Sequence, residues 1–148
     1  MKLTTANTLT HHRHESLINN VIVEMTELKF TLSIETLKNF SDDLAQHMHA
    51  EETHIQPLLE SSDNKLARQV EGDHKILLRT LNKCRKTLEQ LEKTDVEKKR
   101  LLMVQNLDAF IRLRAVLEHH TIRETELVYE ALDQQKHNLP ENIVELLS

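Results

Sequence analysis

One glycine, two prolines, one cysteine and no tryptophan occur in 148 residues. With so few backbone breakers, and Leu, Glu, Lys and Gln abundant, the chain favours long helices and disfavours sheet-rich or loop-rich folds. The single Cys84 cannot form an intramolecular disulfide, and a lone cysteine excludes Cys-rich zinc and iron–sulfur sites. Aromatic residues make up 3% of the chain, there is no Lys/Arg block, and the formal net charge is −5. Nucleic-acid binding, which needs phosphate-neutralising cations and stacking platforms, is therefore not expected. No apolar run approaches the roughly 20 residues of a membrane span, and no membrane partner is expected. The stretch "MKLTTANTLTHHRHE" at the start lacks the apolar core of a signal peptide, so a cytoplasmic location is expected. No Gly-rich phosphate loop exists, and no Ser or Cys is marked out beside a His as a nucleophile.

The length suits one domain, residues 1–148, with a helical core over about 10–135 and a tail helix over about 140–147. Apolar residues at spacings of three and four mark four helices. The first stripe is His14, Leu17, Ile18, Val21, Ile22, Met25 and Leu28, with Thr10 as its expected N-cap. The second is Leu37, Phe40, Leu44, His47, Glu51, Ile55 and Leu58, with Pro57 placed to kink or finish it. The third, after the turn-like "SSDN" from Ser61 to Asn64, is Leu66, Val70, His74, Leu77, Leu81, Cys84, Leu88 and Leu91. The fourth, after Thr94-Asp95, is Met103, Leu107, Phe110, Leu113, Leu117, His120, Glu124, Leu127 and Ala131. A short helix from Glu141 to Leu147 should follow Pro140. The expected fold is all-α, an antiparallel up-down-up-down four-helix bundle with a short C-terminal helix.

Each stripe carries His at an inward position: His14, His47, His74 and His120. Two of them are followed four residues later by Glu, as His47-x-x-x-Glu51 and His120-x-x-x-Glu124, which places each pair on one helix face a turn apart. In antiparallel hairpins, residues at one height are equidistant from the turn. The midpoint between His14 and the His47/Glu51 pair falls at Thr31-Leu32-Ser33. That between this pair and His74 falls at Ser61-Ser62, and that between His74 and the His120/Glu124 pair just past Thr94-Asp95. All six residues can then share one layer.

Burying four imidazoles and two carboxylates without partners would cost several kcal/mol. They can pair among themselves as His–Glu ion pairs. A metal satisfies the layer better, because each lone pair meets a cation and the carboxylates offset its charge. The nitrogen and oxygen donor set suits iron, manganese or zinc, and two carboxylates can bridge two ions.

These motifs resemble the hemerythrin-like family, also called the HHE cation-binding domain. The resemblance runs from about Thr10 to Leu132 and rests on His14, on "HMHAE" with His47 and Glu51, on "EGDHKILL" with His74, and on "HTIRE" with His120 and Glu124. It implies two iron ions held by these six residues inside the bundle, bridged by Glu51, Glu124 and an oxo or hydroxo group. The implied partner is a small molecule such as dioxygen, peroxide or nitric oxide, bound for sensing, storage or stress response, with enzymatic turnover of peroxide or nitric oxide as one form of it. The oxygen-carrying hemerythrins have a second His on the third helix where this chain has Leu78, and end with Asp after a five-residue step where this chain has Glu124. The missing His leaves a coordination position open, which favours a reactive or sensing centre over a pure oxygen carrier.

His11, one turn before His14, is a further ligand candidate at what should be a fraying helix start. His119 has the five-residue spacing to Glu124 but is out of phase with the stripe, so His120 is preferred. His54 should be half-exposed, and His12, His49 and His137 solvent-facing. Ile18, Leu44, Leu77, Leu78, Phe110, Leu113 and Leu117 can wall an apolar pocket over the metals, or simply pack as core. Cys84 is expected to be a buried, inert thiol. Two alternatives remain: a metal-free bundle that binds a protein partner, and a ferritin-like, iron-oxidising bundle suggested by Glu51-x-x-His54 and Glu71-x-x-His74.

Overall fold

A computed structural model of the chain describes residues 1–134 and 139–148. It is all-helical, with no strand among the described residues. The elements are α1 (Leu3–Thr26), α2 (Phe30–His54), α3 (Gln56–Ser62), α4 (Asn64–Lys93), α5 (Val96–Arg123), a π-helical turn π1 (Glu124–Tyr129), α6 (Glu130–Asp133) and α7 (Ile143–Leu147). α1 packs on α2 and α5, α4 packs on α2 and α5, and the small α7 rests on α1 and α2. No helix is long and apolar enough to cross a membrane.

Helix α1 begins at Leu3, well before the expected cap at Thr10. Its free amides are capped from the far end of the chain. The Asp133 carboxylate accepts from Leu3 N at 2.8 Å and from Thr4 N at 3.1 Å. A cap 130 residues away satisfies the orphan donors of a first turn as well as a local one does, and it leaves no local sequence signal.

α1 ends at Thr26, so the turn into α2 is Glu27–Lys29, ahead of the expected Thr31–Ser33. Leu28 adopts a left-handed φ of 62°, with Leu28 N donating to Met25 O at 3.0 Å and Lys29 N to Glu24 O at 2.8 Å. This paired hydrogen-bond pattern usually places glycine at the left-handed position. Here a leucine fills it, partly buried against the core.

Pro57 lies in the first turn of α3, where its missing N–H costs nothing, and the chain breaks just before it at Ile55. Asp63 rather than the serines separates α3 from α4, and its carboxylate caps Leu66 N at 3.0 Å. The Thr94-Asp95 boundary between α4 and α5 falls as expected. The tail helix is shorter than expected, starting at Ile143.

The apolar core divides into two clusters. One gathers Ile18, Val21, Met25, Phe40, Leu44, Leu77, Leu88, Phe110 and Leu113, with others. The second gathers Leu3, Ile55, Leu59, Val70, Val128, Tyr129, Leu132, Ile143 and Leu147. Residues outside both clusters yet buried include His11, His14, His47, Glu51, His74, His120 and Glu124.

The fourth stripe changes register at Glu124. Leu127, expected inside, is 53% exposed, and Ala131 is also exposed; Val128, Tyr129 and Leu132 are buried in their place. The cause is π1: a π-turn takes in one residue more than an α-turn, so every later side chain lags one position behind the α register.

Candidate metal centre

The Nε2 atoms of four histidines converge on Glu51 and Glu124. His47 Nε2 lies 3.0 Å from Glu51 Oε1, and His74 Nε2 lies 3.2 Å from Glu51 Oε2. His120 Nε2 and His74 Nε2 lie 2.9 Å and 3.6 Å from Glu124 Oε1, and His11 Nε2 lies 2.9 Å from Glu124 Oε2. The opposite ring nitrogens face outward, two of them to hydrogen-bond partners and two, those of His74 and His120, only near a carboxylate. His11 Nδ1 meets the Thr121 hydroxyl and His47 Nδ1 the Leu147 carbonyl, each at 3.0 Å. His74 Nδ1 is 3.5 Å from Glu52, and His120 Nδ1 is 3.8 Å from Asp73, which Arg123 grips through both carboxylate oxygens. Partners on the outer nitrogen fix the orientation of an imidazole and present the inner one to a ligand.

Among these inward contacts only that between His11 Nε2 and Glu124 Oε2 is a hydrogen bond. Of the inward atoms, His47 Nε2, His74 Nε2, His120 Nε2, Glu51 Oε2 and Glu124 Oε1 are buried and have no partner of acceptable geometry. Buried polar atoms left in this way cost about 1–3 kcal/mol each. They aim at shared space rather than at one another, which is the arrangement a cation would satisfy. Two groups have donor atoms mutually close enough to hold an ion: Glu51, His74, His120 and Glu124, and His11, His47 and Glu124.

Five of the six expected residues, His47, Glu51, His74, His120 and Glu124, belong to these groups. His14 does not. It is buried beside them, its ring 5.6 Å from that of His47 and its Nε2 3.0 Å from Asp43, which Arg13 holds, and both its ring nitrogens are likewise without a hydrogen-bond partner. His11 belongs to the second group; far from fraying, it sits two turns inside α1 and is buried. His119 is exposed and accepts from Arg123, whereas His120 is buried in the layer. His12 and His49 are exposed, His54 is half-buried, and His137 lies outside the described residues. Glu71, which a ferritin-like site would need inside, is exposed and bonded to Lys75.

Electrostatics without an ion follow from this geometry. Burial works to lower the pKa of each imidazole, but the facing carboxylates outweigh it at three of them. Glu51 raises His47 to about 8, Glu124 and Glu51 raise His74 to about 9, and Glu124 with Asp73 raises His120 to about 10. Burial and the neighbouring His47 and His11 lower His14 to about 3. Burial pushes Glu51 and Glu124 up, yet the surrounding histidines hold both below the usual carboxylate range.

Tyr129 went unnoticed in the sequence. Its hydroxyl donates to Glu51 Oε1, leaving only Oε2 unpartnered. Burial and the Glu51 charge keep the phenol protonated, with its pKa well above 10.0.

Of the two readings given to the apolar residues near the layer, core packing describes all but Leu78. Ile18, Leu44, Leu77, Phe110, Leu113 and Leu117 are close-packed core, and Leu78 is 47% exposed. A cleft of about 480 Å³ between α1 and α5 reaches the site, with buried His11 and Leu117 in its lining alongside Thr8, Arg114, Thr121 and Ile122. No family model, curated protein or solved structure matches the chain.

Proposed function

We propose that the protein is a hemerythrin-like, non-heme di-iron protein that binds or reacts with dioxygen or a related small molecule such as peroxide or nitric oxide. The observation that carries this is the set of buried, unpartnered imidazole nitrogens and carboxylate oxygens aimed at common space. Nitrogen and oxygen donors of this kind suit iron, which would supply the redox chemistry when bound. Glu51 and Glu124 stand among the histidines, and Glu124 belongs to both groups of donors. His47, His74 and His120 complete the expected set, with His11 in the role first given to His14.

In this proposal α1, α2, α4 and α5 form an antiparallel up-down-up-down four-helix bundle. The bonds from Thr36 to Glu24 and from Arg13 to Asp43 support it, since they set rising positions on α1 against falling ones on α2. The small molecule would arrive through the cleft beside His11 and act in sensing or stress response in the cytoplasm.

The deciding experiment is metal content per chain after anaerobic reconstitution with ferrous iron and desalting. Close to two irons per chain is expected. Absence of tightly held metal would make the layer a set of His–Glu ion pairs and turn attention to a protein partner.

A further inference from the structure

Helix α5 is apolar on two opposite faces. Its inward face carries Met103, Phe110, Leu113 and Leu117 into the core. Its outward face carries Leu101, Val104, Asp108, Ile111, Ala115, Glu118 and Ile122, all exposed, at alternating steps of three and four. Leu101, Val104, Ile111 and Ile122 are 63%, 59%, 45% and 48% exposed. A helix that packs on a core with one face normally turns charged and polar residues outward. Apolar steps of three and four sustained from Leu101 to Ile122 are instead the seam along which one helix pairs with another. On α1, by contrast, the exposed Leu9 and Val23 stand far apart, and apolar residues scattered in this way need no partner.

The charges in and beside the stripe show what fits it. Asp108 and Glu118 lie within the seam, and Arg112 and Arg114 flank it. Asp108, Arg112 and Glu118 have no ion-pair partner among the described residues, and Arg114 reaches only Asn19, at 3.4 Å. Two copies laid side by side in the same direction would set Asp108 on Asp108 and Glu118 on Glu118, which repels. Laid in opposite directions about a two-fold axis at Ile111, they set Ile111 on Ile111 and Leu101 near the second copy's Ile122. Asp108 then faces the second copy's Arg112 and Arg114, and Glu118 falls beside Gln105, whose amide is a donor. Two-fold pairing makes each of these contacts twice.

We propose that the outward face of α5 is a self-association surface, on which a second copy of this chain packs antiparallel from Leu101 to Ile122. The strip is about 32 Å long and one helix wide, so it buries roughly 400–500 Å² per copy, below the standard size of a stable interface. The dimer is therefore reversible and forms at micromolar concentrations and above. Glu118 and Ile122 also line the cleft between α1 and α5, so the second copy borders the way to His11. None of this depends on what the His–Glu layer binds.

Sedimentation velocity of the full chain across concentrations from about 1 µM to about 1 mM tests it, with a monomer–dimer Kd on the order of 10–100 µM expected for so small an interface. Ile111→Lys puts two like charges on the axis and should weaken the dimer at least about tenfold. Val23→Lys, also at an exposed position but on α1, should leave it unchanged. Helical circular dichroism checks that each variant folds. Asp108→Arg and Arg114→Asp should each weaken self-association. An equimolar mixture of those two should form a heterodimer about as tight as the parent dimer, because each acid across the axis again faces an arginine. An Ile111→Lys dimer as tight as the parent, or a mixture no tighter than its components, would overturn the proposal. Tighter pairing of Asp108→Arg with the unaltered chain than with Arg114→Asp would mean parallel packing and would overturn it too. A parent chain that stays monomeric throughout the range would do the same and leave the stripe to a different protein.

Discussion

Tyr129 and Cys84 show at the residue scale how burial keeps two ionisable side chains protonated. The Tyr129 hydroxyl is the only group assigned a hydrogen bond to the buried Glu51 carboxylate among the described residues. Tyr129→Phe keeps the ring packing and removes the donor, so it should destabilise the metal-free protein by about 1–3 kcal/mol. It should also weaken metal binding by at least about tenfold, as loss of an orienting partner does elsewhere. Urea unfolding and chelator competition measure the two effects separately. Cys84 is buried, with Sγ 3.4 Å from the Ala109 carbonyl, and burial pushes its thiol up to about 12. It should therefore resist a thiol-specific reagent at pH 8 in the folded protein and react fully in urea.

Much of the site could be found in the sequence at this scale, because His47, Glu51, His74, His120 and Glu124 occupy places in apolar stripes where leucine would be expected. His11 could not be ranked above His14: the two are three residues apart and share a helix face, and both are buried. What separates them is contact with Glu124 in one case and Asp43 in the other, and neither contact has a local signal.

Among the elements, π1 is where sequence periodicity misleads. An uninterrupted α register from Glu124 selects Leu127 and Ala131 as inward, at steps of three and seven. With one residue taken out, Val128, Tyr129 and Leu132 fall at steps of three, four and seven, the spacing of a helix face. Deleting exposed Leu127 should therefore convert π1 to α-helix and keep the same side chains inward. The variant should fold, with helical circular dichroism and metal content close to those of the parent. Deleting Ala115 in the regular part of α5 should not be tolerated, because it turns His120 and Glu124 by about 100° relative to Phe110 and Leu113. A Leu127 deletion that unfolds the protein would mean that the extra residue is needed for the site and is not merely accommodated.

The helix boundaries teach a related lesson. Asp63 and Pro57 act locally and were visible in the sequence; the turn at Leu28 was not, since the residue type that advertises a left-handed turn is missing there.

For the molecule as a whole, the polar layer between two apolar clusters makes stability depend on pH in opposite senses with and without metal. In the metal-free protein, His47, His74 and His120 have pKa values raised to about 8, 9 and 10, so the folded state binds more protons than the unfolded one above pH 6.5. Their contribution is fully present below that pH and is lost as pH rises through 8 to 10. His14, lowered to about 3, works in the other direction: its neutral form costs stability progressively as pH falls below 6.5. The lowered Glu51 and Glu124 add to this loss below about pH 4.5. Thermal melts of the metal-free protein should therefore be most stable near pH 6.5 and fall on both sides. Metal ligation requires neutral imidazoles, so loading at pH 7 must release protons and tighten as pH rises. Calorimetry in buffers of different ionisation enthalpy should register this release, and an unchanged heat across buffers would contradict the protonated state of the empty layer.

The cap on α1 ties the two ends of the chain to one event. Leu3 N and Thr4 N are bonded to Asp133 and have no partner in their own turn, so they gain protection only when the segment after π1 has docked. In hydrogen–deuterium exchange these two amides should behave as members of the C-terminal unit rather than of the helix they begin. Their exchange rate then reports how often the last part of the chain lifts away, an opening that would also uncover Tyr129 and the carboxylate it holds.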